Sequence, residues 1–149
     1  MMDAQTLVDR LGEIVGPQNV LSSQMDLMLY SYDASPEKGI PDVVVLPDST
    51  EEVSKIMVLA HTEKIPVLGR GSGTNLTGGT IPVQGGIVVH FSRMNRILDL
   101  DIPNRTVTVE PGIITLDLQT EVLKKGFVYQ PDPASQKVST IGGNIAENS

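Results

Sequence analysis

The chain has 149 residues, 40% of them hydrophobic and 19% charged, which is enough for one domain with its own core and ordinary for a soluble globular protein. A net charge of −7, with no basic run longer than Lys124-Lys125, works against non-specific binding to nucleic acid, which depends on cationic contacts with phosphate. The lack of cysteine excludes a disulfide scaffold, a thiolate metal site and a Cys nucleophile, and fits a reducing, cytoplasmic setting.

The opening Met1-Met2-Asp3-Ala4 has neither the basic segment nor the apolar core of a secretion signal. The most apolar runs, Ile56–Ala60 and Gly86–Phe91, are too short to cross a bilayer, so no transmembrane segment is expected. Asn75-Leu76-Thr77 and Asn104-Arg105-Thr106 fit the glycosylation sequon and read as chance matches in such a chain. Aromatics make up only 3%, so the core is expected to be aliphatic, with Met25, Met28, Met57 and Met94 as filler.

Leu7, Val8, Leu11, Ile14 and Val15 have the spacing of an amphipathic helix over 4–15, stopped by Gly16-Pro17. A second helix is expected over Gln24–Tyr30, and Asp33–Pro41 reads as loop; this arm is expected to cover the main domain. Asp42–Leu46 is a β-branched run of buried-strand length. Ser49, with Glu52 three residues on, predicts the start of a helix that reaches about Lys64 and buries Val53, Ile56, Met57 and Ala60. Ile65–Leu68 reads as the next strand, and the order strand, helix, strand predicts a parallel pair joined by a right-handed crossover. Further strands are expected at Ile87–Phe91, Ile97–Asp101 and Thr106–Glu110, with turns at Ser92–Arg96 and Asn104. Thr115–Lys125 reads as a helix ended by Gly126. Residues 139–149 show no closing strand or helix, and the ending reads as an interruption of a longer chain.

The strongest chemical signal is Gly69–Thr80, GRGSGTNLTGGT. Its glycines allow close backbone approach, and successive N–H groups in such turns make a concave anion site suited to a pyrophosphate. Ser72, Thr74, Asn75 and Thr77 add short hydrogen-bonding groups, and Arg70 adds a positive charge. No Lys lies between Lys64 and Lys124, which excludes a Walker loop. The dinucleotide fingerprint G-x-G-x-x-G fails because Thr74 or Leu76 stands where its third Gly belongs, and no helix is expected after the loop. On these residues alone, a phosphate cradle and a tight surface crossover both stay open.

GRGSGTNLTGG following Ile65-Pro66-Val67-Leu68 resembles the pyrophosphate loop of the FAD-binding oxidoreductases of the vanillyl-alcohol oxidase and p-cresol methylhydroxylase (PCMH) type. Other motifs of that family follow in the same order. Pro41–Val53 resembles its first strand and helix, and Val109–Gly112 its entry to a second subdomain. Pro131–Ser135 and Thr140–Ala146 resemble its second flavin-contacting segment. The forms are most like the branch that holds the glycolate oxidase flavin subunit and D-lactate dehydrogenase.

The resemblance implies an α+β, PCMH-type fold of two subdomains with FAD between them. Residues 1–40 would form a helical arm, 41–105 the first subdomain and 106–149 the beginning of a second, truncated one. It places Arg70, Gly71, Ser72, Gly73, Thr74, Asn75, Thr77 and Gly78 around the pyrophosphate. Pro131, Asp132, Ser135, Thr140, Gly142, Gly143 and Ala146 would approach the flavin or its ribityl chain. Some family members attach FAD through a His in the glycine loop; this loop has none, so FAD is expected to be non-covalent.

The implied function is oxidation of a small 2-hydroxy acid by hydride transfer to FAD. The alternative is a non-catalytic flavin-fold or assembly subunit beside a catalytic chain, with peripheral membrane association through partner subunits. The 149 residues alone are expected to be inactive, to bind FAD weakly or not at all and to self-associate through the unpaired edges of a truncated second subdomain. No catalytic or metal-binding residue is assigned. His61 and His90 read as structural, and Asp99, Asp101 and Glu110 as a solvated strand edge rather than an acid–base set.

Overall fold

A β-branched run buried on both sides needs partners on either hand, and Val43–Val45 finds them in a sheet. The computed structural model describes residues 3–149; Met1 and Met2, the first residues of the arm, lie outside the described residues. Strands β1 (Val20–Leu21), β2 (Val43–Val45), β3 (Val67–Arg70) and β4 (Ile87–His90) make the first sheet, in the order β1-β2-β4-β3. β4 is parallel to both β2 and β3, with Ile87 opposite Val43 on one side and Val67 on the other. β1 pairs antiparallel with β2.

The expected neighbouring pair of β2 and β3 is therefore corrected: the strands are parallel, but β4 lies between them. Burial gives the reason. Ile87, Val88 and Val89 are buried and take a central place, whereas β3 carries exposed Gly69 and sits at the edge. β1, which the sequence reading missed, closes the other edge and makes the arm part of the sheet.

Helix α1 (Ala4–Val15) starts at Asp3, whose carboxylate accepts from the Thr6 N–H at 3.0 Å. Its Leu7, Leu11 and Val15 meet Val43, Val45, Ile87 and Val89 of the sheet. A short helix α2 (Gln24–Leu29) follows, with Ser23 as its cap. Helix α3 (Thr50–Glu63) begins at the expected Ser49, and Glu52 reaches back to the Asp48 N–H at 2.8 Å. Ile56, Leu59 and Ala60 complete the first core. Met57 is exposed, and so are Met25 and Met28; of the methionines expected as filler only Met94 is buried. Leu59, one helical turn after Ile56, occupies the face first given to Met57.

The second unit is a hairpin of β5 (Ile97–Asp101) and β6 (Thr106–Val109) covered by α4 (Thr115–Leu123) and α5 (Ile141–Ala146). Its core is Ile113, Leu118, Val122 and Ile141, separate from the first. Asp101 holds the hairpin turn by accepting from Asn104, and Asp99 is exposed, so the two form no acid–base pair. The expectation that nothing regular follows residue 139 is corrected by α5, whose cap is Thr140. Among the described residues no helix is long and apolar enough to cross a membrane.

Charged contacts join the units. Arg93 donates to the Leu46 carbonyl (2.8 Å) and pairs with Asp48 (3.1 Å) at the end of β2. Arg96 Nη2 donates to the Asp48 carbonyl (3.3 Å), and its guanidinium is held by a two-point pair with the buried Glu110 carboxylate (2.6 and 3.0 Å), which also accepts from the Arg96 N–H. At Gly112 a Cβ would overlap the Phe91 carbonyl oxygen, so only glycine permits this crossing.

The Arg96 guanidinium beside Glu110 holds that carboxyl below the ordinary carboxylate range. A depressed folded pKa adds stability above the unfolded value and loses it as pH falls through the folded one. Glu110→Gln is thus expected to be less stable than wild type in urea unfolding at neutral pH, with the difference shrinking as the solution is acidified.

Candidate functional site

β3 ends at Arg70, at the carboxyl edge of the parallel strands, where open sheets of this kind present ligand crevices. The chain then runs through residues 71–80 without forming a helix, and Gly73 and Gly78 adopt φ of 67° and 72°. The backbone N–H groups of residues 72–76 meet no protein acceptor among the described residues. Such successive free donors, with the hydroxyl of Thr74, suit a pyrophosphate.

The facing wall comes from the second unit. Thr115, fully buried, accepts from Asn144 Nδ2 (2.7 Å) and donates to the Ser139 carbonyl (3.0 Å). This network pins residues 139–144 on α4, so that α5 forms although two of its residues are glycine. The Gly142 N–H bonds to the Pro111 carbonyl at 2.9 Å, which fixes the start of α5 against the β6 exit.

Between the walls lies a groove of about 450 Å³. Its rims touch: Ser72 Oγ donates to the Val138 carbonyl, and Thr77 Oγ1 to the Glu147 carboxylate at 2.8 Å. A Cβ on Gly71 would run into the Thr140 hydroxyl, so glycine sets how closely the walls approach.

The groove brings together Arg70, Gly71, Ser72, Gly73, Thr74 and Asn75 with Ser135, Thr140, Gly142, Gly143 and Ala146. The remaining residues named from sequence lie off its lining. Thr77 acts at the rim through Glu147, and Gly78 turns the loop behind it. The Pro131 carbonyl accepts from Gln119, and Asp132 from Gln136. Sequence reasoning missed Phe91, Pro111, Ser139, Asn144 and Glu147 as lining residues. Ser139 and Asn144 lie within STIGGN (139–144), Glu147 lies three residues past it and Pro111 stands in Val109–Gly112, so membership of the motifs or proximity to them was the available signal.

Arg70 is almost wholly buried, its guanidinium 5.6 Å from the centre of the Tyr30 ring. Burial pulls its pKa down while Asp33 works against the shift. His90 meets Tyr30 edge-on at 5.3 Å, and its buried Nδ1 has no partner among the described residues. Burial first, then the Arg70 charge, hold its pKa below the ordinary value, which keeps the imidazole neutral. His61 is exposed in the last turn of α3. No group of His, Asp and Glu among the described residues is arranged to hold a metal ion.

Residues 41–149 match the family described as FAD binding domain, which takes in both walls of the groove. The chain belongs to that family. This FAD-binding domain is 47% identical over 149 residues to the glycolate oxidase subunit GlcD of Bacillus subtilis (strain 168), covering 99% of this chain and 32% of that protein. It is 40% identical over 111 residues to a D-lactate dehydrogenase of Anaerostipes hadrus, covering 74% of this chain and 23% of that one. The chain thus spans less than a third of the length of the curated relatives it matches. Its fold is that of p-cresol methylhydroxylase, solved with substrate bound, at a TM-score of 0.82 and 24% identity over 95% of this chain and 28% of that one. The α+β fold of the PCMH-type FAD-binding domain is therefore the observed one.

Gly71→Ala should separate the walls by displacing Thr140. FAD affinity is expected to fall about tenfold or more, read by titrating the flavin-free native protein with FAD.

Proposed function

We propose that this chain is the FAD-binding portion of a flavin-dependent oxidoreductase that oxidises a 2-hydroxy acid of the glycolate or D-lactate kind. The observation that carries the reading is the groove itself: residues 72–76, whose N–H groups have no protein acceptor among the described residues, line it opposite the pinned Thr140–Asn144 wall, in a chain so similar to a glycolate oxidase subunit.

The loop donors and the Thr74 hydroxyl hold the pyrophosphate, while the Ser72 hydroxyl is spent on the Val138 carbonyl. Gly71, Gly142 and Gly143 let backbone come close where a side chain would intrude. The Thr140 wall limits the groove on its other side, and Phe91 lines it as well. FAD, when bound, supplies the acceptor for the hydride of the hydroxyl-bearing carbon, a chemistry that belongs to the cofactor. The base that takes the hydroxyl proton and the cation that holds the carboxylate are assigned to no residue of this chain.

FAD is held without a covalent bond in this reading. The support is the lack of a His between Gly69 and Thr80 and the position of His90 beneath the loop, against Tyr30. When the native protein is precipitated with acid, the yellow colour is expected in the supernatant. A yellow pellet would overturn non-covalent binding.

The competing reading, a non-catalytic flavin subunit, is favoured by one observation: the Bacillus relative is named as a subunit. The native protein, purified alone and offered glycolate, D-lactate and larger 2-hydroxy acids with a dye acceptor, separates the two. Substrate-dependent bleaching of its own flavin is the expected result. Bleaching only after a companion subunit is added would favour the assembly role.

A further inference from the structure

The loop that offers its N–H groups makes few backbone bonds of its own, yet it keeps a defined shape. The groups that hold it come from the arm, ahead of residue 41 where the family match begins. Arg70, at the loop's start, donates through Nη2 to the Tyr32 carbonyl at 2.7 Å and through Nη1 to the Thr80 carbonyl at 3.3 Å, at the loop's end. Gly73 lies directly over this guanidinium, where a Cβ would overlap Nη2. One buried cation thus spans the base of the loop and touches its crest.

Asp33 completes the arrangement. It is 8% exposed and accepts from Asn75 Nδ2 at 2.7 Å, from the Ser35 N–H at 2.7 Å and from Thr80 Oγ1 at 3.4 Å. The Ala34 N–H bonds to the Asn75 carbonyl at 3.1 Å, so Asn75 is gripped by side chain and by backbone. Burial pushes the Asp33 carboxyl upward, but the bonds from Ser35, Asn75 and Thr80 together outweigh it and leave it below the ordinary value. Asp33 is therefore ionised at neutral pH, and its charge opposes that of Arg70 inside the fold. None of Tyr32, Asp33 and Ala34 lines the groove.

We propose that Asp33 is a positioning residue of the flavin site, bracing the glycine loop from behind through Asn75, Thr80 and Arg70 so that the donors of residues 72–76 stay turned to the ligand. The proposal rests on the FAD reading of the groove. It adds that the site is incomplete without residues 30–35, and that Asp33 acts without touching the cofactor.

The test uses the native protein, purified as its cell makes it and stripped of FAD. For Asp33→Ala the dissociation constant for FAD is expected to rise about tenfold or more, because a buried anion that orders three donors is lost. In the same apoprotein, hydrogen exchange at the Ala34 and Ile81 amides, which bond to Asn75 and to Gly78, is expected to quicken, while the Ile56 and Ala60 amides of α3 keep wild-type protection. Asp33→Asn keeps the shape and one acceptor and should recover part of the affinity.

FAD affinity and Ala34 exchange within about twofold of wild type would overturn the proposal. So would equal acceleration throughout α3 with no recovery in Asp33→Asn, which marks a general structural role. If Asp33→Ala does not fold, Asp33→Asn and Thr80→Val are read by the same criteria. A wild-type protein that takes up no FAD defeats the functional reading, and the exchange data still decide the brace.

Discussion

A loop that leaves its backbone donors free cannot also use them to hold itself together, and much of this molecule follows from that constraint. The N–H groups of residues 72–76 meet no protein acceptor among the described residues, so the loop's order has to be imposed from outside. β3 anchors one end in a parallel sheet, Arg70 ties both ends to the arm, and Thr140 stands against Gly71. The buried cation and anion behind the loop are tolerable because each is matched by several hydrogen bonds; either left alone would be costly.

The second constraint is that the groove lies between two separately packed cores. Its width depends on how those units meet. Arg93 and Arg96 join them through Leu46 and Asp48, and Gly112 lets the chain cross beside Phe91 with no room for a side chain. Phe91 and Pro111, which flank the Gly112 crossing, line the groove. The ligand walls can therefore consist of small residues and backbone, which by themselves would hold no fixed spacing.

What could be read from the sequence was what local chemistry settles. Ser49 and Glu52 announced α3, the valines of β2 announced a buried strand, and the glycines of 69–80 with the Thr140–Ala146 segment marked both walls. What could not be read depends on distant partners. β1 is two residues long and exists only because β2 offers an edge. α5 contains consecutive glycines that disfavour a helix, and the buried Thr115–Ser139–Asn144 network overrides them. The place of β4 between β2 and β3 follows from burial on both faces, which strand order in the chain does not reveal. Asp33 looked like an ordinary loop aspartate because its partners lie at residues 75 and 80, more than forty positions away.

The central position of β4 also sets a timetable for synthesis. β2 and β3 are both made before the strand that joins them, and the Asp42–Gly86 contact closes 44 residues of chain. Until Ile87–His90 leave the ribosome, the valine edge of β2 has only the short β1 to pair with, and the arm waits with its face for the core uncovered. Closing so long a loop is slow, and an unpaired apolar strand in the meantime is open to the wrong neighbour. The chain is thus most vulnerable to misassociation in the interval just before Ile87–His90 emerge, and the arrival of one four-residue strand ends it.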